Sequence, residues 1–408
     1  MLKNKNASLG FIFATVLIDC IGFGIIIPVL PKLIEQLSGK NISEASTIGG
    51  WLLFAYSLMQ FVFAPILGGL SDKYGRRPIL LLALAGLGLD YLLLAFAPNL
   101  IWLLIGRIIA GICGASFSTA AAYIADISTP EKRAQNFGLI GAAFGVGFII
   151  GPLLGALFSN LGVRAPFVAA GILSLLNFFF GLFFIPESLK ESNRRSFDIK
   201  RANPLGAFIN LKRYPLLVGL IVGQFILYVA GKTIEVIWGY YNILKFKWTE
   251  AEIGYSLAFV GVLVSIVQGG LIRWFIPKFG QHKSIYYGII FYAAGLFCFA
   301  FATHSWVMYV SLIPYCLGGL CGPALQGLIA NQVPENEQGE IQGLNTSLMS
   351  IAAIISPIIM TTLFYQFSIP TAKIYFPGIS FFISGVLALL GAVVIYFSIK
   401  KINLSLRN

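Results

Sequence analysis

Charge is scarce in this sequence. Only 11% of its 408 residues are Asp, Glu, Lys or Arg, against about a quarter in a typical soluble domain. With 58% hydrophobic residues and a mean hydropathy of +0.85, a water-surrounded globule is excluded and a polytopic membrane protein is expected. Histidine is scarcer still. His282 and His304 are the two, both at expected helix ends, which leaves no histidine as an obvious buried proton carrier. The five cysteines (Cys20, Cys113, Cys298, Cys316, Cys321) all fall within expected spans and lack the spacing of a metal site or disulfide framework. No metal or other cofactor is expected. There is no nucleophile–base constellation and no Gly-rich phosphate loop, so the residues do not favour an enzyme. No small-residue cleavage site follows the first apolar run, which holds Asp19 and ends at Pro28-Val29-Leu30-Pro31; it reads as a retained first helix rather than a signal peptide.

What is present is length and a patterned distribution of the few charges. Backbone groups in lipid find no partners outside their own segment, so the spans are helices. At roughly 20 residues per span, the chain accommodates about a dozen. The expected fold class is an all-α membrane protein of twelve transmembrane helices. The net charge of +12 is uneven: 20 of the 28 Lys and Arg fall on one side of the expected membrane, 6 on the other, and Arg107 and Lys232 lie inside spans. By the positive-inside rule the richer side, with both termini, is cytoplasmic. That asymmetry accounts for the basic character without a nucleic-acid partner. The expected setting is a bacterial-type inner (cytoplasmic) membrane.

In chain order the expected helices run at about Leu9–Leu30, Ile48–Leu70, Ile79–Ala97, Leu100–Asp126, Gln135–Ser159 and Pro166–Ile185. After a basic stretch they resume at about Leu216–Tyr240, Ile253–Ile276, Ser284–Ala302, Trp306–Gln332, Gly343–Tyr365 and Ile374–Ile399. This divides the chain into an N-terminal six-helix bundle (1–186), a cytoplasmic linker (187–213) that includes Lys200, Arg201, Lys212 and Arg213, and a C-terminal six-helix bundle (214–408). The halves echo one another at an offset of about 205: Ile124-Ala125-Asp126 maps onto Ile329-Ala330-Asn331, Pro130-Glu131 falls near Pro334-Glu335, and Gly151-Pro152 maps onto Ser356-Pro357. Two pseudo-symmetric bundles with a substrate cavity at their interface are expected of such a parallel repeat.

Between the second and third helices stands Gly68-Gly69-Leu70-Ser71-Asp72-Lys73-Tyr74-Gly75-Arg76-Arg77-Pro78. Its glycines and proline suit a tight hairpin. Arg76 has Asp126, at the same end of the fourth helix, as a plausible partner, and Asp72 can face a neighbouring helix N-terminus. This loop resembles the signature loop of the major facilitator superfamily. The resemblance implies a cytoplasmic latch of Asp72, Arg76 and Asp126, with the acid near the start of the eleventh helix, about Gln342-Gly343.

In the fifth helix Gly138, Gly147, Gly151, Pro152 and Gly155 place small residues along one side, which allows close helix packing in lipid. The same spacing resembles the superfamily's fifth-helix motif, associated there with antiporters. Arg107 followed by Gly111 resembles its fourth-helix motif, whose arginine is linked to proton transfer.

An ionisable group within a span is a functional candidate by default, because insertion of a charge costs at least about 2.5–3.5 kcal/mol. Asp19, Asp90, Arg107, Lys232 and Glu235 form that set. Asp90 also admits a plainer reading, a helix-end residue facing water. Leu17-Ile18-Asp19-Cys20-Ile21-Gly22, the segment from Ser57 to Pro65 with Gln60, Leu89-Asp90-Tyr91, and Pro323-Ala324-Leu325-Gln326-Gly327 are similar to the tetracycline efflux branch of the superfamily. That resemblance implies proton–drug exchange using Asp19 and Asp90, with Gln60 and Gln268 lining the cavity. The sequence departs from the branch in its second half. The branch's ninth-helix aspartate would fall at about Tyr292, and the eighth-helix histidine of some members at about Val264.

Lys232 and Glu235 are three apart, hence neighbours on one helical face. They are either a self-neutralising pair or cavity-lining groups, with Lys232 meeting an anionic substrate and Glu235 sharing in proton coupling. Tyr228 lies deeper on the same helix and can face a planar substrate; Trp238, Tyr240 and Tyr241 read as an interfacial aromatic belt. Proton coupling is expected of Asp19, Asp90, Arg107 and Glu235, and substrate contact of Gln60, Tyr228, Lys232, Glu235, Gln268, Tyr292 and Gln326. The expected partners are a small-molecule substrate, protons and the lipid bilayer, around a monomer. The leading reading is proton-coupled export of a drug-like or small amphipathic compound. Its rivals are a proton-coupled carrier of an anionic metabolite or siderophore anchored by Lys232, and a non-transporting membrane receptor or scaffold.

Overall fold

The computed structural model describes residues 5–114, 116–197, 214–334 and 337–405. Lys200, Arg201, Lys212 and Arg213 of the expected linker, and Glu335, lie outside the described residues. Among those described there is no β-strand, and twelve helices are long and apolar enough to cross a membrane. They are Leu9–Ser38, Ile42–Tyr74, Arg76–Phe96, Leu100–Ile127, Asn136–Ser159 and Ala165–Phe184, then Val218–Phe246, Glu250–Phe279, Gln281–Phe301, Ser305–Ala330, Ile341–Ser368 and Ile379–Ile402. They are called the first to twelfth spans below.

Three details differ from the sequence expectation, each for a local reason. The first helix continues through Pro28 and Pro31 to Ser38, since prolines in membrane helices are tolerated where neighbours re-satisfy the freed backbone. The second span starts at Ile42 rather than Ile48, because Asn41 caps it by accepting a hydrogen bond from the Glu44 backbone N–H at 3.0 Å. That leaves a link of only three residues, 39–41. The seventh span runs on to Phe246, carrying its aromatic cluster into the protein. Trp238, Tyr240 and Tyr241 are buried, and the Trp238 ring meets Phe299 edge-on at 5.1 Å. The aromatic-belt reading is therefore corrected: these rings are core, not interface.

Contacts divide the chain into two compact units, Met1–Pro204 with Trp248–Gly261, and Leu205–Lys247 with Val262–Asn408. In the first unit the fifth span lies against the first, with bare backbone on both sides. A Cβ on Gly151 would stand 2.7 Å from the Ile21 carbonyl oxygen and 2.9 Å from the Gly24 Cα; one on Gly155 would stand 2.7 Å from the Ile25 carbonyl oxygen. Residues 248–261 join this unit because Gly254 and Gly261 also press on the fifth span, at Pro152, Ala156 and Ile149. Small residues allow this contact, and dispersion drives it.

The internal repeat extends to the irregularities. The fourth span is interrupted after Cys113, at Gly114. The tenth is interrupted by a 3-10 turn at Gly318–Leu320. The offset of about 205 carries one break onto the other. The eighth span holds a π-helical turn at Val267–Leu271.

Candidate functional site

Four clusters gather the residues singled out above. The first is the end of the second span. Gly75 adopts φ +103°, which a side chain would strain, and so turns the chain into the third span within one residue. The turn brings Arg76 back over the second span. Its guanidinium donates to the Asp72 carboxylate at 2.5 Å, to the Ser71 hydroxyl at 2.8 Å and, through Nε, to Asp126 at 3.1 Å. Arg76 itself is buried. Asp72, Arg76 and Asp126 are thus joined through one arginine.

A residue that sequence reasoning missed completes this cluster. Glu187 follows the sixth span, and its carboxylate accepts hydrogen bonds from the backbone N–H groups of Arg76 at 2.8 Å and Arg77 at 3.1 Å. The third span has no side-chain cap of its own, because its N-cap residue is Gly75. Around Glu187, the Pro186 carbonyl accepts from the Tyr123 hydroxyl at 2.8 Å, Ser188 donates to Asp126 at 3.0 Å, and the Arg195 N–H donates to the Asp72 carbonyl at 3.1 Å. The available signal was a lone acid directly after an apolar span, beside a basic loop that lacked a helix cap.

The second cluster lies between the third and fourth spans. Asp90 has no exposed surface and Arg107 almost none, and the two form an ion pair. The reading of Asp90 as a water-facing helix-end residue is corrected by that burial. The Arg107 guanidinium also lies 5.9 Å from the centre of the Tyr56 ring. Gly106 lets Asp90 approach: a Cβ there would stand 2.6 Å from Asp90 Oδ1. Beside this region, Gln60 donates to the carbonyl of Gly114 at 3.2 Å, satisfying an acceptor freed where the fourth span breaks.

Asp19, on the first span, is also buried. Cys20 and Ile21, the residues after it, form the contact with Gly147 and Gly151. The glycines of the fifth span therefore pack directly next to the buried acid. Gly138 does not take part, since a Cβ there would meet nothing within 4 Å.

The remaining residues belong to the second unit. Lys232 and Glu235 form an ion pair of 2.7 Å, partly exposed on both sides. Tyr228, Gln268 and Tyr292 line one cavity of about 340 Å³. The Tyr228 hydroxyl donates to Asn345 at 2.8 Å and accepts from Gln224 at 2.8 Å. Gln326 lines a small adjoining recess with Gln224, Gln342 and Asn345. The expected substrate residues of this unit converge on the cavity, apart from Gln326 beside it and the paired Lys232 and Glu235.

Known proteins resemble this chain in sequence and in fold. Residues 12–357 and 246–405 match the model of the Major Facilitator Superfamily. The class C tetracycline resistance protein of Escherichia coli is 38% identical over 363 residues, spanning 89% of this chain and 91% of its own. The class H protein of Pasteurella multocida is 36% identical over 400 residues, spanning 97% of each. Among solved structures, the nucleoside transporter NupG shares the fold with a TM-score of 0.78 over 97% of this chain and 100% of its own, at 12% identity.

Proposed function

This chain belongs to the major facilitator superfamily, in the branch of the tetracycline resistance proteins, and from that membership we propose that it exports a drug-like or small amphipathic compound in exchange for protons, by alternating access. It is a multi-pass membrane transporter for a small molecule and not an enzyme.

The observation that carries the proton-coupled reading is the Asp90–Arg107 pair. An ion pair fully withdrawn from water is a poor stabiliser, because the desolvation cost offsets most of the Coulomb gain. Burial favours the neutral carboxyl and a neighbouring guanidinium favours the carboxylate. A group under both influences can exchange its proton when its surroundings change. The proton-coupling residues in this reading are Asp90, Arg107 and Asp19 of the first unit and Glu235 of the second. Substrate contact is assigned to Tyr228, Gln268, Tyr292 and Gln326 of the second unit and, separately, to Gln60 of the first. The Asp72–Arg76–Asp126 cluster acts as the latch on the cytoplasmic side, the charge asymmetry supports cytoplasmic termini, and the protein works as a monomer of two bundles joined by the 187–213 linker.

The rival reading, an anionic substrate anchored by Lys232, is weakened by the Glu235 carboxylate 2.7 Å away, which already compensates that cation.

Proteoliposomes with an imposed pH gradient test the proposal. A fluorescent drug accumulates only while the gradient stands, and Asp90→Asn abolishes gradient-driven accumulation. Accumulation that persists after the gradient is collapsed would sink the proton-coupled reading.

A further inference from the structure

The cavity of the second unit has a definite chemical character. Its volume of about 340 Å³ suits a small ligand, and no charged side chain is among the described residues that line it. The polar lining is made of amides and phenols: Gln224, Gln268, Tyr228, Tyr292 and Tyr315. The charges on the neighbouring turn, Lys232 and Glu235, neutralise one another.

One wall is aromatic. The Tyr292 and Tyr315 rings lie 5.2 Å apart with a 36° tilt. Tyr292 can sit there because residue 318 is a glycine: a Cβ at Gly318 would stand 2.7 Å from the Tyr292 Cβ. Gly322, on the lining, faces open space, since a Cβ there would meet nothing within 4 Å. The Tyr292 hydroxyl is withdrawn from the cavity surface beside Tyr315, and the Tyr228 hydroxyl is engaged by Gln224 and Asn345. The cavity thus combines aromatic ring surface with amide groups able to donate or accept.

A cation entering it would shed water without meeting a carboxylate on the lining, and the nearby Glu235 is already held by Lys232. Attraction to the tyrosine faces returns only a small part of that cost. We infer that this cavity binds an uncharged planar aromatic ligand against the Tyr292–Tyr315 wall and discriminates against the same ring system carrying a fixed positive charge. The inference rests on the transport reading for its physiological meaning, but binding alone tests it.

The purified full-length chain in detergent is titrated with phenanthridine and with N-methylphenanthridinium, which share one ring system and differ in fixed charge. Binding is followed by quenching of protein fluorescence. The expected result is at least tenfold tighter binding of the neutral ring. Gln268→Glu, which places a carboxylate in the cavity at nearly unchanged volume, narrows or reverses that ratio. The change in ratio between variants is independent of how each probe partitions into micelles. If Gln268→Glu does not fold, Val264→Glu supplies the same comparison from another lining position. The inference is overturned if the cation binds wild type as tightly as the neutral ring, if neither probe binds, or if a folded acidic variant leaves the ratio unchanged. Failure of the transport reading looks different: the ratio holds, yet no gradient drives accumulation.

Discussion

Glu187 and Arg76 are 111 positions apart, yet the Glu187 carboxylate accepts a 2.8 Å hydrogen bond from the Arg76 backbone N–H. Its other oxygen accepts from the Arg77 N–H at 3.1 Å. A carboxylate from the end of the sixth span thereby serves as the cap that the third span lacks. It also fixes the backbone from which the Arg76 side chain reaches Asp72, Ser71 and Asp126.

Glu187→Gln keeps the shape but removes the charge from a helix N-terminus, where a carboxylate contributes about 0.3–1 kcal/mol. The expected outcome is a modest loss of thermal stability and a larger loss of transport, with Glu187→Asp recovering part of both. Melting curves and vesicle transport measured on the same preparations check this. Equal transport by wild type and Glu187→Gln would refute the positioning role.

Arg76→Lys preserves charge but not the planar fork that reaches three oxygens at once. A lysine ammonium at this site cannot reproduce the Nε contact to Asp126 together with those to Asp72 and Ser71. Transport is expected to fall at least tenfold. Initial rates of drug accumulation in vesicles, normalised to protein inserted, give the measurement.

Asp90→Asn leaves Arg107 buried without a counter-charge, which costs about 3–5 kcal/mol. Asp90→Asn combined with Arg107→Gln removes both charges and is expected to be more stable than Asp90→Asn alone, while remaining inactive in gradient-driven transport. Denaturation in detergent compares the two. A double variant no more stable than the single one contradicts the pairing.

The fifth-span glycines offer an internal control. Gly151→Ala introduces a Cβ at 2.7 Å from a carbonyl oxygen and 2.9 Å from a backbone carbon of the first span. Because backbone cannot yield as a side-chain tip does, the expected cost is about 1–3 kcal/mol, with impaired transport. Gly138→Ala meets nothing within 4 Å and is expected to be silent. A parallel growth assay in the presence of drug separates the two.

Much of this arrangement was legible in the residues. Apolar length located the twelve spans, and the offset of about 205 anticipated two related halves. The Arg76–Asp126 pair was legible from the sequence and the structure joins it, whereas Asp72, expected to face a neighbouring helix N-terminus, is held by Arg76. The burial of Asp90 was legible only in part, because a polar residue six positions from the end of its span, which closes at Phe96, can face water or protein, and periodicity does not choose between them. Its pairing with Arg107 depends on how two spans are rotated about their axes. Trp238, Tyr240 and Tyr241 misled for a related reason: amphipathic rings suit an interface and a core equally well, and the deciding fact is that the seventh span continues to Phe246.

By itself the sequence determined the membrane setting, the helical architecture and the family, since these follow from average hydropathy, from the need to satisfy backbone groups in lipid, and from short motifs read along the chain. Only the tertiary structure decided that Glu187 caps the third span, that Asp90 is sealed against Arg107, and that Tyr228, Gln268 and Tyr292 share one uncharged cavity. Each of these joins residues from different helices. Their meeting depends on the rotation and depth of each helix, which side-chain packing sets and local sequence does not encode.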